Sequence, residues 1–368
     1  MARTSPASWT AADVQADTGW IHTLSADASA ALLAAVRGAG DPDRPLLDWR
    51  REDFALGPCL PALAAAFREV RDGRGMTLVK NLPRAGVTPA EFRLMTWAIG
   101  LHFGVARPQN RTSDYITAVQ DVGTAYRSPT GRGYSSNAEL DFHVDSADVV
   151  LLSCYNQAPV GGMSLCVSAA TAYAIVQAER PDYAAALASA YTFSRNGEQA
   201  EGEAAWYPAP ICTVEDGRVF CKWNRNRLEN AQKLDGVPRL SALQRAAMDY
   251  FDAVLRRPET MFSMHLKPGD LQLLCNHTML HSRTSFEDHV DADKKRTLYR
   301  LWLAPPAWRQ LPQSWAAFYG TAEPGVVRGG IRGHQYDAER QRFDARQAAA
   351  MRMRLLDGAS VFHDVTEA

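Results

Sequence analysis

Between Asp148 and Ala304 the sequence breaks into short apolar runs, DVVLLSCY, MSLCVS, RVFCKW, TMFSMHL, LQLLCN and RTLYRLWLA, separated by turn-forming stretches such as PVGG, EDGR and KPGD. Runs this short, rich in β-branched and aromatic residues and closed by Gly, Pro and Asp, read as strands. Turns this tight join antiparallel neighbours, because a parallel pair needs a long crossover. The pattern therefore predicts an antiparallel barrel or jelly roll rather than a βαβ sheet. Helical spacing interrupts it at AATAYAIVQAERPDYAAALASA and LSALQRAAMDYFDAVLRRP, so the expected class is mainly β with flanking helices, α+β.

The flanks are built differently. Residues 1–74 are rich in alanine, with apolar residues recurring every three or four positions in DASAALLAAVRGA and LPALAAAFREVRD, which predicts helices packed on a later core. GMTLVKNLP then reads as a buried strand, and TPAEFRLMTWAIGLHFG as a helix capped by Thr88 with Pro89 in its first turn. The stretch ARPQNRTSDYITAVQDVGTAYRSPTGRGYSS has little periodicity and is expected to be a long loop or an irregular hairpin, a frequent form for lids and binding loops. Residues 306–368 form a C-terminal extension with a glycine-rich segment, read as loop rather than RNA-binding, and a helical AERQRFDARQAAAMRMRLLDG. The organisation expected is a helical region over 1–74, a catalytic β domain over 75–305 and an extension over 306–368, together one structural domain.

Composition removes several functions. With 46% hydrophobic and 22% charged residues and a net charge of −1, the chain has no overall field to draw nucleic acid or an acidic membrane, and a small molecule is the expected partner, with a homodimer left open. No apolar run approaches the roughly 20 residues of a membrane helix. The six cysteines are scattered without a CxxC pair, which argues against a zinc knuckle or a disulfide scaffold. Together with the lack of an apolar leader pattern in MARTSPASWTAADVQADTGW, this makes the cytoplasm the expected location.

ELDFHVDSAD sets His143 and Asp145 two residues apart at the edge of a strand. Side chains alternate across a strand with a period of two, so both can converge on one point, as metal ligands must. The later run CNHTMLHSRTSF offers His277 and His281 as a third ligand. Two histidines and one carboxylate on one side of an ion leave open positions, the arrangement of non-heme Fe(II) oxygenases.

At these residues the sequence resembles a known family. FHVDS, GGMS, NHTMLHSRTSF and KRTLYRLWL, in that order, are similar to the Fe(II)/2-oxoglutarate dioxygenases of the TauD/TfdA, clavaminate-synthase-like group, from about Gly75 to Pro305. The resemblance implies a double-stranded β-helix core and iron ligands His143, Asp145 and His281, since His281 rather than His277 occupies the Leu-His-x-Arg position. It places Arg296 on the distal carboxylate of 2-oxoglutarate, where a planar guanidinium can make two charge-assisted hydrogen bonds. Ser164 stands where the family has a threonine that donates to the same carboxylate. Arg300 would share the strand face of Arg296 and touch co-substrate or substrate. Asn137, in the loop before the HxD segment, is a candidate substrate contact. The stretch EDHVDADKK looks like an insert between His281 and Arg296. The implied reaction takes Fe(II), 2-oxoglutarate and O2, releases succinate and CO2, and oxidises an unactivated C–H bond of a small metabolite. Hydroxylation is the default over desaturation, epoxidation or ring closure, and Asp145 argues against halogenation, which needs a small residue there.

The plainer readings are structural. His22, His102, His265, His289, His334 and His363 are expected in core or surface hydrogen bonds. Asp141 and Asp148 flank the motif as structural or solvated carboxylates, Arg283 makes a salt bridge, and Trp223 is core or pocket lining. A non-catalytic jelly-roll binding module and a zinc hydrolase are the competing functions, both disfavoured by the arginine anchor.

Overall fold

The structure, a computed structural model, describes residues 5–124 and 133–356. The strands of its two larger sheets are, in chain order, β1 (Ile21–Thr23), β2 (Met76–Lys80), β3 (Val105–Arg107), β4 (Ile116–Val119), β5 (Val149–Asn156), β6 (Ser164–Ser168), β7 (Phe262–Met264), β8 (Leu271–Cys275), β9 (Met279–Arg283) and β10 (Thr297–Ala304). The seven-stranded sheet runs β1-β2-β8-β5-β10-β3, with β4 also paired to β10; only β1 and β2 are parallel. The three-stranded sheet runs β7-β6-β9 and is antiparallel.

Strand alternation divides the side chains between two cores. On β10, Leu298 and Trp302 join Val150 and Cys154 of β5, Cys166 of β6 and Met279 of β9 in one cluster between the sheets. Tyr299, Leu301 and Leu303 point the other way, with Val149 and Leu151, into a cluster covered by the helices Ala26–Ala39, Leu60–Asp72 and Pro89–Phe103. Each fully buried Leu, Val or Phe side chain there contributes roughly 1.5–3 kcal/mol relative to exposure. The helix Pro89–Phe103 begins as the sequence predicts: Thr88 caps it, and Glu91 bonds back to the Thr88 N–H. On the outside of the smaller sheet, Leu165, Val167 and Leu280 pack against the helices Ala169–Glu179, Pro181–Leu187 and Ala242–Leu255 and two β-hairpins. The chain is thus two facing sheets with helices on both outer sides.

Two expectations change. The long loop after Arg107 contains β4, whose pairing with β10 outweighs its weak local signal; residues 125–132 of that loop, and His363, lie outside the described residues. MLHSR, not counted among the strand runs, is β9, and its five residues are all buried. All six cysteines are buried and unpaired, as expected. Among the described residues no helix is long and apolar enough to cross a membrane.

The C-terminal extension is tied to the sheet by buried polar groups. In the helix Ala338–Met351, Asp344 accepts from Arg107 Nη1 (2.6 Å), Tyr115 OH (2.8 Å) and Tyr336 OH (2.6 Å), and Gln347 donates to the Leu101 carbonyl. Arg107 ends β3, so this network fastens the last helix to the sheet edge. Removing the carboxylate leaves a buried guanidinium unpaired. Asp344→Ala is expected to lower the unfolding free energy by about 3–5 kcal/mol, measured by urea denaturation, with Asp344→Asn losing less.

Candidate metal centre

His143 is held by its backbone before its ring is considered. Its N–H bonds to the His281 carbonyl and the His281 N–H to the His143 carbonyl, both at 3.0 Å, while the following residue, Val144, donates to the Trp223 carbonyl at 2.9 Å. The His143 segment therefore lies between β9 on one edge and Asn224 on the other. This pairing sets the two imidazoles side by side, with ring centroids 4.4 Å apart. Asp145, two residues on, turns to the same side, as the period of two predicts. One ligand atom each from His143, Asp145 and His281 lies within 4.8 Å of the others, a group that could hold a metal ion.

The surroundings prepare these atoms. His143 Nδ1 lies 2.9 Å from the Asp141 carbonyl; as donor there it leaves the Nε2 lone pair for a metal. Burial, reinforced by the charge of His143, pushes the His281 pKa down to about 3 despite the opposing pull of Asp145, so its imidazole is neutral near pH 7. Burial disfavours the Asp145 charge, yet Arg300, His281, His143 and the Trp302 hydrogen bond together hold its carboxyl below the ordinary value. Trp302 Nε1 donates to Oδ2 at 3.0 Å, Arg300 Nη1 approaches Oδ1 at 3.4 Å, and the Asp145 N–H bonds to Asn276 Oδ1 at 3.0 Å. Two imidazoles and one oriented carboxylate are the donor set a divalent iron accepts.

The triad opens on a cavity of about 540 Å³, whose lining includes Ser164, Arg296, Leu298, Arg300 and Trp302. Arg296 precedes β10 and shares the inward face with residues 298, 300 and 302; four residues of extended chain put it roughly 13 Å along the strand from Arg300. Its Nε and Nη1 are buried and have no hydrogen-bond partner among the described residues. Burial lowers its pKa to about 10, against the opposing influence of Cys154 and Asp288, so it remains a cation at neutral pH. Gly162 makes room for it: a Cβ there would sit 2.8 Å from Arg296 Nε, and the residue holds φ +69°. The Ser164 hydroxyl donates to Gln272 Oε1 at 2.9 Å. A buried, unpartnered guanidinium is costly, and an anion with two acceptor oxygens satisfies it.

Residues 42–302, more than half of the chain, match the family described as Taurine catabolism dioxygenase TauD, TfdA family. The chain belongs to this TauD/TfdA family. It is a non-heme iron(II)/2-oxoglutarate-dependent oxygenase. Its cofactors are Fe(II), 2-oxoglutarate and O2. FR-33289 synthase of Streptomyces rubellomurinus is 29% identical over 310 residues, covering 83% of this chain and 91% of that protein. A taurine hydroxylase-like protein of Stachybotrys chartarum is 24% identical, covering 79% and 74%. Among solved structures, asparagine oxygenase with Fe(II), 3-hydroxyasparagine and succinate superposes with TM-score 0.59 at 18% identity, over 77% of this chain and 93% of that one. The non-heme iron oxygenase OrfP with iron and α-ketoglutaric acid gives TM-score 0.55 at 15% identity, over 77% and 94%. At these identities the two likenesses speak to the fold.

Other residues of this TauD/TfdA chain fall differently. His277 is fully buried outside the cavity, with Nε2 2.9 Å from Asp148 Oδ1, and Arg328 holds the same carboxylate at 3.0 Å. Asn137 is exposed and absent from the cavity lining; its backbone carbonyl accepts from Phe286 N–H, so the structure does not bring it to the site. Arg300 lines the cavity, but its Nε is spent on Gln109 Oε1 at 2.7 Å and its Nη1 on Asp145. Arg283 binds backbone carbonyls of Ser136, Ala138 and Thr284. Trp223 is core, edge-on to Phe251. Sequence reasoning missed Gln109, Asn276 and Trp302, and only the inward parity of Trp302 with Arg296 could have signalled one of them. Titration of the metal-free protein with Fe(II) is expected to give one site in wild type and in His277→Ala and none in His143→Ala. Loss of the Asp148 contact should cost His277→Ala about 1–3 kcal/mol of stability.

Proposed function

We propose that this oxygenase hydroxylates an unactivated C–H bond of a small-molecule metabolite, turning 2-oxoglutarate into succinate and carbon dioxide. The reaction would take place between the two sheets of a double-stranded β-helix, or jelly roll. In this reading His143, Asp145 and His281 hold the iron, and Arg296 holds the far carboxylate of 2-oxoglutarate, joined by Ser164 once its hydroxyl turns from Gln272 Oε1 to the incoming oxygen. The bound iron and co-substrate supply the oxidising chemistry. The chain's own residues orient and shield it: Trp302 and Arg300 fix the Asp145 carboxylate, Leu152, Leu266 and Leu298 give the cavity an apolar lining that would exclude water, and the His143 hydrogen bond to Asp141 fixes the ring tautomer.

One observation carries the reading: a buried cation with two nitrogens unpartnered among the described residues lines the same cavity as a His, carboxylate, His cluster. Hydroxylation rather than another oxidation is favoured by names among the similar proteins, a taurine hydroxylase-like protein and oxygenases bound to hydroxylated asparagine and arginine. Those names concern amino acids and taurine, which supports a small polar substrate here. Arg300, which touches the Asp145 carboxylate rather than standing free, acts as a positioning residue in this scheme.

The experiment is anaerobic addition of 2-oxoglutarate to the Fe(II) protein, followed by its visible charge-transfer band. Arg296→Ala is expected to weaken 2-oxoglutarate binding roughly 30-fold or more, the effect of truncating one partner of a buried charge pair. Ser164→Ala should weaken it by about tenfold or less. Equal affinity in wild type and Arg296→Ala would remove the proposed co-substrate site.

A further inference from the structure

The cavity has a second polar wall that the metal and co-substrate scheme leaves unused. It is made by Asn196, Asn226, Arg227, Asn230 and Lys233, from the segment after the strand Ala190–Ser194 and from the helix Arg225–Ala231 and its continuation. Its place follows from the pairing order. The His143 segment pairs with β9 along one edge and with Asn224 along the other, and Ser164 lies beyond β9 on β6. The 224–233 segment therefore flanks the triad on the edge away from Ser164.

The hydrogen bonds within this wall use up its acceptors and leave donors over. Asn230 Nδ2 donates to Asn196 Oδ1 (3.1 Å) and Asn226 Oδ1 (2.8 Å), Asn196 Nδ2 donates to Asn226 Oδ1 (3.4 Å), and Lys233 Nζ donates to Asn230 Oδ1 (2.8 Å). Every amide oxygen of the three asparagines thus accepts. Among the described residues the Asn226 amide nitrogen has no acceptor, and the ammonium of Lys233, with three N–H groups, has this one acceptor and no carboxylate within ion-pair distance. The carboxylates nearby are engaged: Glu198 takes Arg227 Nη2 at 2.8 Å, and Arg256 lies 3.9 Å from Asp141. Arg227 is thereby neutralised, and its Nη1 is spent on the Ser194 carbonyl. Lys233 is the cation of this wall that an incoming group can meet.

We infer that this wall recognises an anionic, acceptor-only group of the substrate, a carboxylate or a phosphate-type oxyanion, through Lys233 and Asn226. The inference rests on the proposed function, in which substrate occupies the cavity beside the triad. It assigns anion recognition to residues 226 and 233 in preference to Arg300, whose Nε and Nη1 already bond to Gln109 and Asp145. The amide network holds Asn226 rigid, so little side-chain entropy is lost when the anion arrives.

The test uses the Fe(II) protein saturated with 2-oxoglutarate, anaerobic and at fixed ionic strength, with thermal unfolding followed as acetate or inorganic phosphate is added against chloride. A saturable rise in Tm is expected with at least one of the two, and the anion that saturates at lower concentration identifies the group as carboxylate or phosphate-type. Lys233→Ala combined with Asn226→Ala should raise the half-saturating concentration about tenfold, and Lys233→Arg should restore most of it. No saturable rise with either anion, or an unchanged response in the double variant, overturns the inference. The charge-transfer band of 2-oxoglutarate in the same samples separates the two failures. Its absence from wild type sinks the proposed function and this inference with it, whereas its presence beside an unchanged anion response sinks this inference alone.

Discussion

The reciprocal backbone hydrogen bonds between His143 and His281 are the contact on which the centre depends. Neither histidine is near the other in sequence, and neither could choose its partner from side-chain chemistry alone. Once the two peptides pair, the imidazoles are neighbours and the parity of the chain delivers Asp145 to the same point. The pairing is possible because β9 has its other edge filled by β6, which leaves one free edge for the HxD segment. A ladder hydrogen bond contributes only about 1 kcal/mol net, so these bonds specify position more than they supply stability. The stability comes from the two apolar clusters on either face of the larger sheet.

β10 supplies the second constraint. Its outward residues Tyr299, Leu301 and Leu303 are locked against the helices, and that burial fixes the register of the whole strand. A slip of one residue would turn Arg300 and Trp302 away from Asp145 and bury an arginine among the helices. Charge placement in the cavity is therefore enforced by hydrophobic packing on the far side of the sheet. The C-terminal extension reinforces it through Arg328 on Asp148 and Asp344 on Arg107, each a buried ion pair. Such pairs add little net stability over an apolar alternative, but they penalise any arrangement that separates them.

Much of the site was legible because its chemistry is local in sequence. HxD is a two-residue spacing, Arg296 and Arg300 share a strand parity, and the consecutive glycines before Ser164 mark a turn whose φ values and close contact with Arg296 require them. The choice of His281 over His277 came from resemblance to a family. The structure adds the physical difference: His281 faces the cavity while His277 is sealed against Asp148. Asn137 was misplaced because a loop residue's direction is set by contacts no spacing rule contains. β4 escaped notice because four residues of modest hydrophobicity become a strand only when β10 offers an edge.

The sequence alone determined the strand-rich, helix-flanked character, the near-neutral net charge and the residue types on which a metal centre could draw, since all of these follow from periodicity and from side-chain chemistry that each residue carries by itself. Tertiary structure decided which donors remain unspent. Arg296 with Nε and Nη1 unpartnered among the described residues, Arg300 with Nε and Nη1 engaged by Gln109 and Asp145, and the asparagine wall with its oxygens turned inward are properties of hydrogen-bond accounts that close only when distant segments meet. A donor's availability depends on what surrounds it, and the surroundings are fixed by packing rather than by neighbours in the chain.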